Sequence, residues 1–73
     1  MSERLLKYIH MVMLQKDIKS DAELARRMGV SPQTLAGKFG RNNLKESDIE
    51  AIAEAMGVEF RIVFFDPDTG KEY

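Results

Sequence analysis

Residues 20–39, SDAELARRMGVSPQTLAGKF, read as two short helices joined by a tight corner, and the remaining segments arrange themselves around that pair. Ser20 and Glu23 have the S-x-x-E spacing of a capping box, in which each side chain answers a free backbone amide, so a helix is expected to begin at Asp21. Leu24, Ala25 and Met28 follow at helical spacing. Gly29 can take a left-handed conformation without a Cβ clash and so end the helix, with Val30 expected to drop back into the core. Ser31 then supplies an N-cap, with Pro32 at the first helical position where its missing N–H costs nothing. The second helix is expected over Pro32 to Phe39. Leu35 and Phe39 lie one turn apart and face inward, while Gln33, Gly37 and Gly40 project on the opposite side, flanked by Thr34 and Arg41.

Small Ala25, Gly29 at the corner, apolar Val30 and Leu35 together form a spacing that resembles the helix-turn-helix of the phage Cro and repressor family (XRE-like), over about residues 5 to 56. The physical basis of that spacing is close crossing: Ala25 lets the second helix approach the first, Gly29 allows the turn, and Val30 and Leu35 plug the gap beneath. An ordinary helical hairpin uses the same kinds of residue, because αα corners often contain Gly. The family often has an apolar residue three places after Leu35; here Lys38 stands there, and Phe39 supplies the inward group instead.

The resemblance implies a mainly α fold, a four-helix domain over residues 1–57 with a C-terminal β-strand or short β-hairpin at 58–73 for dimerisation. It implies double-stranded DNA as partner, a homodimer, and a transcriptional regulator, a repressor, working in the cytoplasm of a bacterial or phage-encoded setting. The helix from Pro32 would enter the major groove. Gln33 is the first candidate for base contact, since one amide can donate to and accept from adenine N6 and N7 together, and Thr34 is the second. Ala36 and Gly37 carry little or no side chain and permit close backbone approach to the groove; alternatively Gly37 only weakens the helix. Ser31, Lys38, Arg41, Asn42, Asn43 and Lys45 are the candidate phosphate contacts, which set register without reading sequence. Asn pairs in loops also commonly serve only the turn. Asp21 and Glu23 would repel a phosphate and receive no such role.

The charge pattern agrees with a polyanionic partner although the sum does not. At 73 residues the net charge is −1. Residues 24–45 carry Arg26, Arg27, Lys38, Arg41 and Lys45 with no acid, whereas residues 46–73 carry eight acids against Arg61 and Lys71. Such segregation turns one side of a near-neutral protein toward a polyanion. The plainer interpretation is a solvated basic face.

Composition, with 44% hydrophobic and 32% charged residues, is that of one small globular domain. A core of this size seldom supplies more than about 3 to 5 kcal/mol, so a second copy covering further apolar surface is expected. The absence of Cys excludes disulfides and thiolate metal sites and suits a reducing cytoplasm. No apolar run is long enough to span a bilayer, and the opening MSERLLKYIHMVML lacks a small-residue cleavage signal. No membrane partner, cofactor, metal or small-molecule ligand is indicated.

On either side of the corner the expected elements are a first helix from Glu3 to Lys16, with Leu5, Leu6, Ile9, Val12 and Met13 inward, and Ile18 stapled beneath the linker. His10, the only histidine, has no partner at metal or catalytic spacing and is given a structural or surface role. After the polar loop RNNLKE, anchored by Leu44, Ser47 and Glu50 form a second capping box opening a helix whose Ile49, Ile52, Ala53 and Met56 face inward, with Asp48, Glu50 and Glu54 outward and Gly57 as its end. Val58 to Phe65, VEFRIVFF, has strand composition, DPDTG reads as a turn, and Lys71 to Tyr73 as a return strand. Val63 and Phe65 are expected to be exposed beside Arg61, which makes these three the candidate dimer interface; a strand tucked onto its own helices is the alternative. A protein-interaction module, antitoxin-like or anti-repressor, is the competing function. An enzyme is disfavoured, since the chain has no Ser/His/acid set and no Gly-rich phosphate loop after a strand.

Overall fold

Four helices form the body of the molecule: α1 Glu3–Gln15, α2 Asp21–Met28, α3 Pro32–Gly40 and α4 Glu46–Met56. The computed structural model describes residues 3–41 and 43–73. None of its helices is long and apolar enough to cross a membrane.

Local chemistry explains where the two central helices start and stop. The Ser20 hydroxyl accepts the Glu23 amide at 3.1 Å, and Ser31 accepts that of Thr34 at 3.1 Å. The Glu23 carboxylate reaches back one residue further than a reciprocal capping box requires and accepts the Lys19 amide at 2.9 Å. Gly29 takes φ 75°, its amide donating to Arg26, while Val30 N–H donates to Ala25. This pair of bonds is a Schellman motif, and the same pattern at Gly57 and Val58 ends α4. Val30 does not plug the corner. It remains 36% exposed, and Leu24 and Leu35, both almost fully inaccessible, fill the interior instead.

The start of α4 also differs from the sequence expectation. The helix begins at Glu46, two residues before the position set by the Ser47/Glu50 pair. Asp48 rather than Glu50 supplies the acid, accepting the Lys45 amide at 2.9 Å. Asp48 is therefore half-buried and turned toward the helix start, not outward as expected.

Ile9, Met13, Ile18, Leu24, Ala25, Leu35, Phe39, Ile52 and Met56 form one core, and no charged or polar side chain is buried in it. α2 packs on both α3 and α4, with Ala25 completely inaccessible. The missing side chain beyond Cβ is what lets those helices approach so closely. His10, for which the sequence predicts a structural or surface role, is exposed and touches two other helices. Its Nε2 lies 2.9 Å from Asp21 Oδ1, and its ring meets Phe39 edge-on at 6.0 Å, so one side chain touches the start of α2 and the underside of α3.

Beyond α4 the chain becomes an arm. Val58 and Phe60 remain half-buried, but Ile62 (63%), Val63 (37%), Phe64 (79%) and Phe65 (60%) are all exposed. Among the described residues no strand forms; the β character is a single antiparallel bridge between Phe65 and Glu72. The expected strand over Val58–Phe65 lacks a partner chain to bond with, since the return segment after the turn is only a few residues long and a short hairpin alone is marginal. The DPDTG turn is present: Gly70 N–H donates to the Asp66 carbonyl at 2.7 Å, and Asp68 N–H to the Asp66 carboxylate at 2.9 Å. Arg61 clasps Glu72 through both guanidinium ends at 3.1 and 3.3 Å. The arm gives the molecule extents of 42 × 25 × 18 Å and a radius of gyration of 13.5 Å. A compact chain of this length would have about 11 Å.

Candidate nucleic-acid interface

α3 is anchored from behind. Leu35 and Phe39 are buried one turn apart, which fixes the helix's rotation and leaves Gln33, Thr34 and Ala36 exposed in the direction of solvent. Phe39 is the inward group of this turn, and Lys38, where the family often has an apolar residue, stays half-exposed. No acidic residue lies in α3 or its first turn, so the positive end of the helix dipole is not offset locally.

Each candidate contact has a definite environment. Ser31 is committed to capping, and its hydroxyl also bonds that of Thr34 at 2.8 Å. The Thr34 hydroxyl is thereby held in place with hydrogen-bonding capacity to spare. Gln33 is exposed at the second helical position. Lys38 is not the free cation that the sequence suggests: its ammonium lies 3.1 Å from the Asp48 carboxylate of α4. The Lys45 amide, and after it the Lys38 ammonium, hold the Asp48 carboxyl below the ordinary carboxylate range. The spacing of ten residues across a loop gave no signal of this pair.

Arg41 is the C-cap of α3 and forms no ion pair with any described residue. Its guanidinium lies over Gly37: a Cβ built there would stand 3.1 Å from Nη2. Asn43 donates its amide to the Lys38 carbonyl at 3.1 Å, closing the turn after α3, and its side chain is exposed. Lys45 is exposed at the N-cap of α4. Asn42 lies outside the described residues. The chain matches no family model, no curated protein and no solved structure. What α3 can do must therefore be argued from its own atoms.

Those atoms form a polar surface to which α3 itself contributes no acid. One concavity lies elsewhere, an apolar groove between α1, α4 and the root of the arm lined by Leu5, Tyr8, Val12, Ile49 and Phe60 among others. No group of three or more His, Cys, Asp or Glu side chains among the described residues could hold a metal ion. The predicted interface residues of the arm are separate from α3: Arg61 is tied to Glu72, while Val63 and Phe65 are exposed together with Ile62 and Phe64, on both sides of the segment. Strand alternation, with Val63 and Phe65 outward, would put Ile62 and Phe64 on the opposite, covered face. Without a ladder to hold that register neither face is covered.

Proposed function

We propose that this chain is a sequence-specific double-stranded DNA-binding protein, a dimeric transcriptional regulator of the Cro/repressor helix-turn-helix kind that acts as a repressor in a bacterial or phage cytoplasm. The observation that carries the reading is the exposed face of α3, where Gln33, Thr34 and Ala36 stand outward with no acid in the helix while Leu35 and Phe39 lock its back. In this reading α2 and α3 are the helix-turn-helix. The N-terminal end of α3 enters the major groove, Gln33 spans an adenine edge, and Thr34 contacts the neighbouring base. Ala36 and Gly37 let the helix backbone come close. Asn43 and Lys45 lie on the flank that meets phosphate, joined by Lys38 once it leaves Asp48.

The exposed apolar arm supports the dimer. Ile62, Val63, Phe64 and Phe65 present four consecutive exposed apolar side chains, on a segment whose ladder pairing among the described residues is limited to the bridge from Phe65 to Glu72. Two arms pairing would supply that ladder and set the spacing of two half-sites.

The same arm supports the second reading, a module that binds a different polypeptide through strand addition. Fluorescence polarisation with random duplex DNA over a range of salt separates the two. A DNA binder loses affinity steeply with salt; a protein-interaction module gives no salt-dependent binding. Gln33→Ala then tests the reading role, with discrimination at one base pair expected to fall by about 1 to 3 kcal/mol per half-site. Equal losses on preferred and random duplexes would remove Gln33 from that role.

A further inference from the structure

We propose that Arg41 is a base-reading residue, its guanidinium carried on a glycine saddle at Gly37 and directed to the O6 and N7 acceptors of a guanine. This rests on the DNA-binding reading of α3 and reassigns one residue within it, since a basic side chain at a helix end would otherwise be counted as a phosphate contact.

Gln33, Gly37 and Arg41 are spaced at i, i+4 and i+8, so they form a single line along α3. Side chains on a helix lean toward its N-terminus, and an Arg at the end of α3 therefore runs back over the preceding turn. At that turn there is no side chain. Nη2, Cζ and Nη1 of Arg41 lie 3.1, 3.6 and 3.9 Å from where a Cβ of residue 37 would sit, so the guanidinium rests on bare backbone. The shortest of these distances is tighter than ordinary van der Waals contact, so a methyl group there would push the guanidinium off its seat by a few tenths of an ångström. Gly37 disfavours the helix that contains it, and the saddle gives that residue a purpose.

Four other arginine and lysine side chains face a carboxylate: Lys19 with Asp17, Arg27 with Glu23, Lys38 with Asp48 and Arg61 with Glu72. Arg41 faces none among the described residues, and its fork of donors makes no side-chain hydrogen bond to any of them. Its position also distinguishes base from backbone. A cation that reaches phosphate extends sideways from a groove-bound helix, whereas one folded along the outward line presents its donors to the groove floor beside Gln33. A planar fork with two parallel N–H donors matches guanine O6 and N7. Gln33 and Arg41 would then read two positions on one helix line, one adenine and one guanine.

The experiment is selection of bound sites from a random duplex library with the wild-type chain, Arg41→Ala, Arg41→Lys and Gly37→Ala, each first checked for an unchanged helical spectrum. The wild type is expected to enrich a G·C pair at one position of each half-site. Arg41→Ala and Arg41→Lys are expected to lose that preference by roughly 5- to 150-fold while keeping the position read by Gln33. Gly37→Ala, which shifts the guanidinium only slightly and keeps it, should weaken the same position, less than Arg41→Ala does, and no other. If Arg41→Ala keeps every wild-type preference and loses affinity equally on all duplexes with a shallower salt slope, Arg41 is a backbone contact and the proposal falls. A wild type that shows no salt-dependent DNA binding at all overturns the underlying reading as well, an outcome distinct from the first.

Discussion

The Lys38 ammonium and the Asp48 carboxylate, 3.1 Å apart, join α3 to the first turn of α4. Asp48 does two things there, accepting the Lys45 amide and holding Lys38 on the protein. Asp48→Asn separates them, because the amide oxygen still accepts the Lys45 N–H while the counter-charge of Lys38 is gone. The variant should lose no more than about 1 kcal/mol of stability. It should bind random duplex more tightly, with a salt slope steeper by about 0.9 per phosphate newly contacted. Adding Lys38→Gln should return the slope to the wild-type value. Polarisation titrations at several salt concentrations check this; a slope unchanged in the single variant would mean that Lys38 never reaches the backbone.

Acid should destabilise the fold partly through two identified carboxylates. Glu23 is held below its ordinary range, first by the Lys19 amide and then by Arg27, and Asp48 by the Lys45 amide and then Lys38. A depressed folded-state value means that the unfolded chain takes up the proton first as pH falls. The stabilisation is therefore complete above the ordinary carboxylate range and is lost as pH drops through the lower, folded value. Thermal melts between about pH 5 and about pH 2.5 should show Tm falling. The double variant Glu23→Gln, Asp48→Asn should start lower at pH 5 and fall less. Parallel curves for the two proteins would exclude these groups.

The elements that sequence reading located best are those decided by chemistry within a few residues. Ser20, Gly29, Ser31 and Gly57 each act through a backbone bond to a near neighbour, so their roles were visible in order of sequence. The start of α4 was not. Both Ser47/Glu50 and Lys45/Asp48 place an acid three residues after a possible cap, and Lys38, brought in by the fold, lies with the second. Val30 stays out because the space beneath the corner is filled by Leu24 and Leu35, a matter of volume that no local pattern records. The expected strand is not formed in the single chain for a related reason: VEFRIVFF has the composition, but a strand also needs a ladder partner, and the described residues give only the bridge from Phe65 to Glu72. At the candidate interface, periodicity found which side chains of α3 face outward. It could not find that Lys38 is held or that Arg41 lies over Gly37.

Polar substitution in the arm should change assembly without unfolding the helices. Ile62 and Phe64 are exposed and make no part of the core, so Ile62→Asp with Phe64→Asp costs the single chain little. Analytical ultracentrifugation is expected to show a wild-type dimer and a monomeric double variant with the same helical spectrum. The wild-type Tm should rise with protein concentration, as it must where association and folding are linked, and the variant's should not. A wild-type chain that sediments as a monomer at all concentrations would rule out the arm as a self-association surface.

Enlarging Ala25 should damage the interface from a distance. Its side chain is wholly inaccessible on α2, the helix that packs on both α3 and α4, so a larger side chain there has to be accommodated inside the packed interior. Ala25→Leu must push those helices apart, at a cost of about 1 to 3 kcal/mol. A domain holding only about 3 to 5 kcal/mol would survive this with a lower Tm rather than unfold outright. The displacement falls on α3, whose rotation is set by Leu35 and Phe39 against the same core, so Gln33 and Thr34 should lose their registration on DNA. Ala51→Leu, at an exposed position of α4, is the control and should leave both Tm and binding near wild type. Melts and polarisation on a selected duplex measure the two effects together. Under conditions where Ala25→Leu is folded, affinity for the selected site should drop more than affinity for random DNA, because misplacing a reading helix removes base contacts before it removes charge. Equal losses on both duplexes would mean that Ala25 sets stability alone and that the placement of α3 does not depend on this crossing.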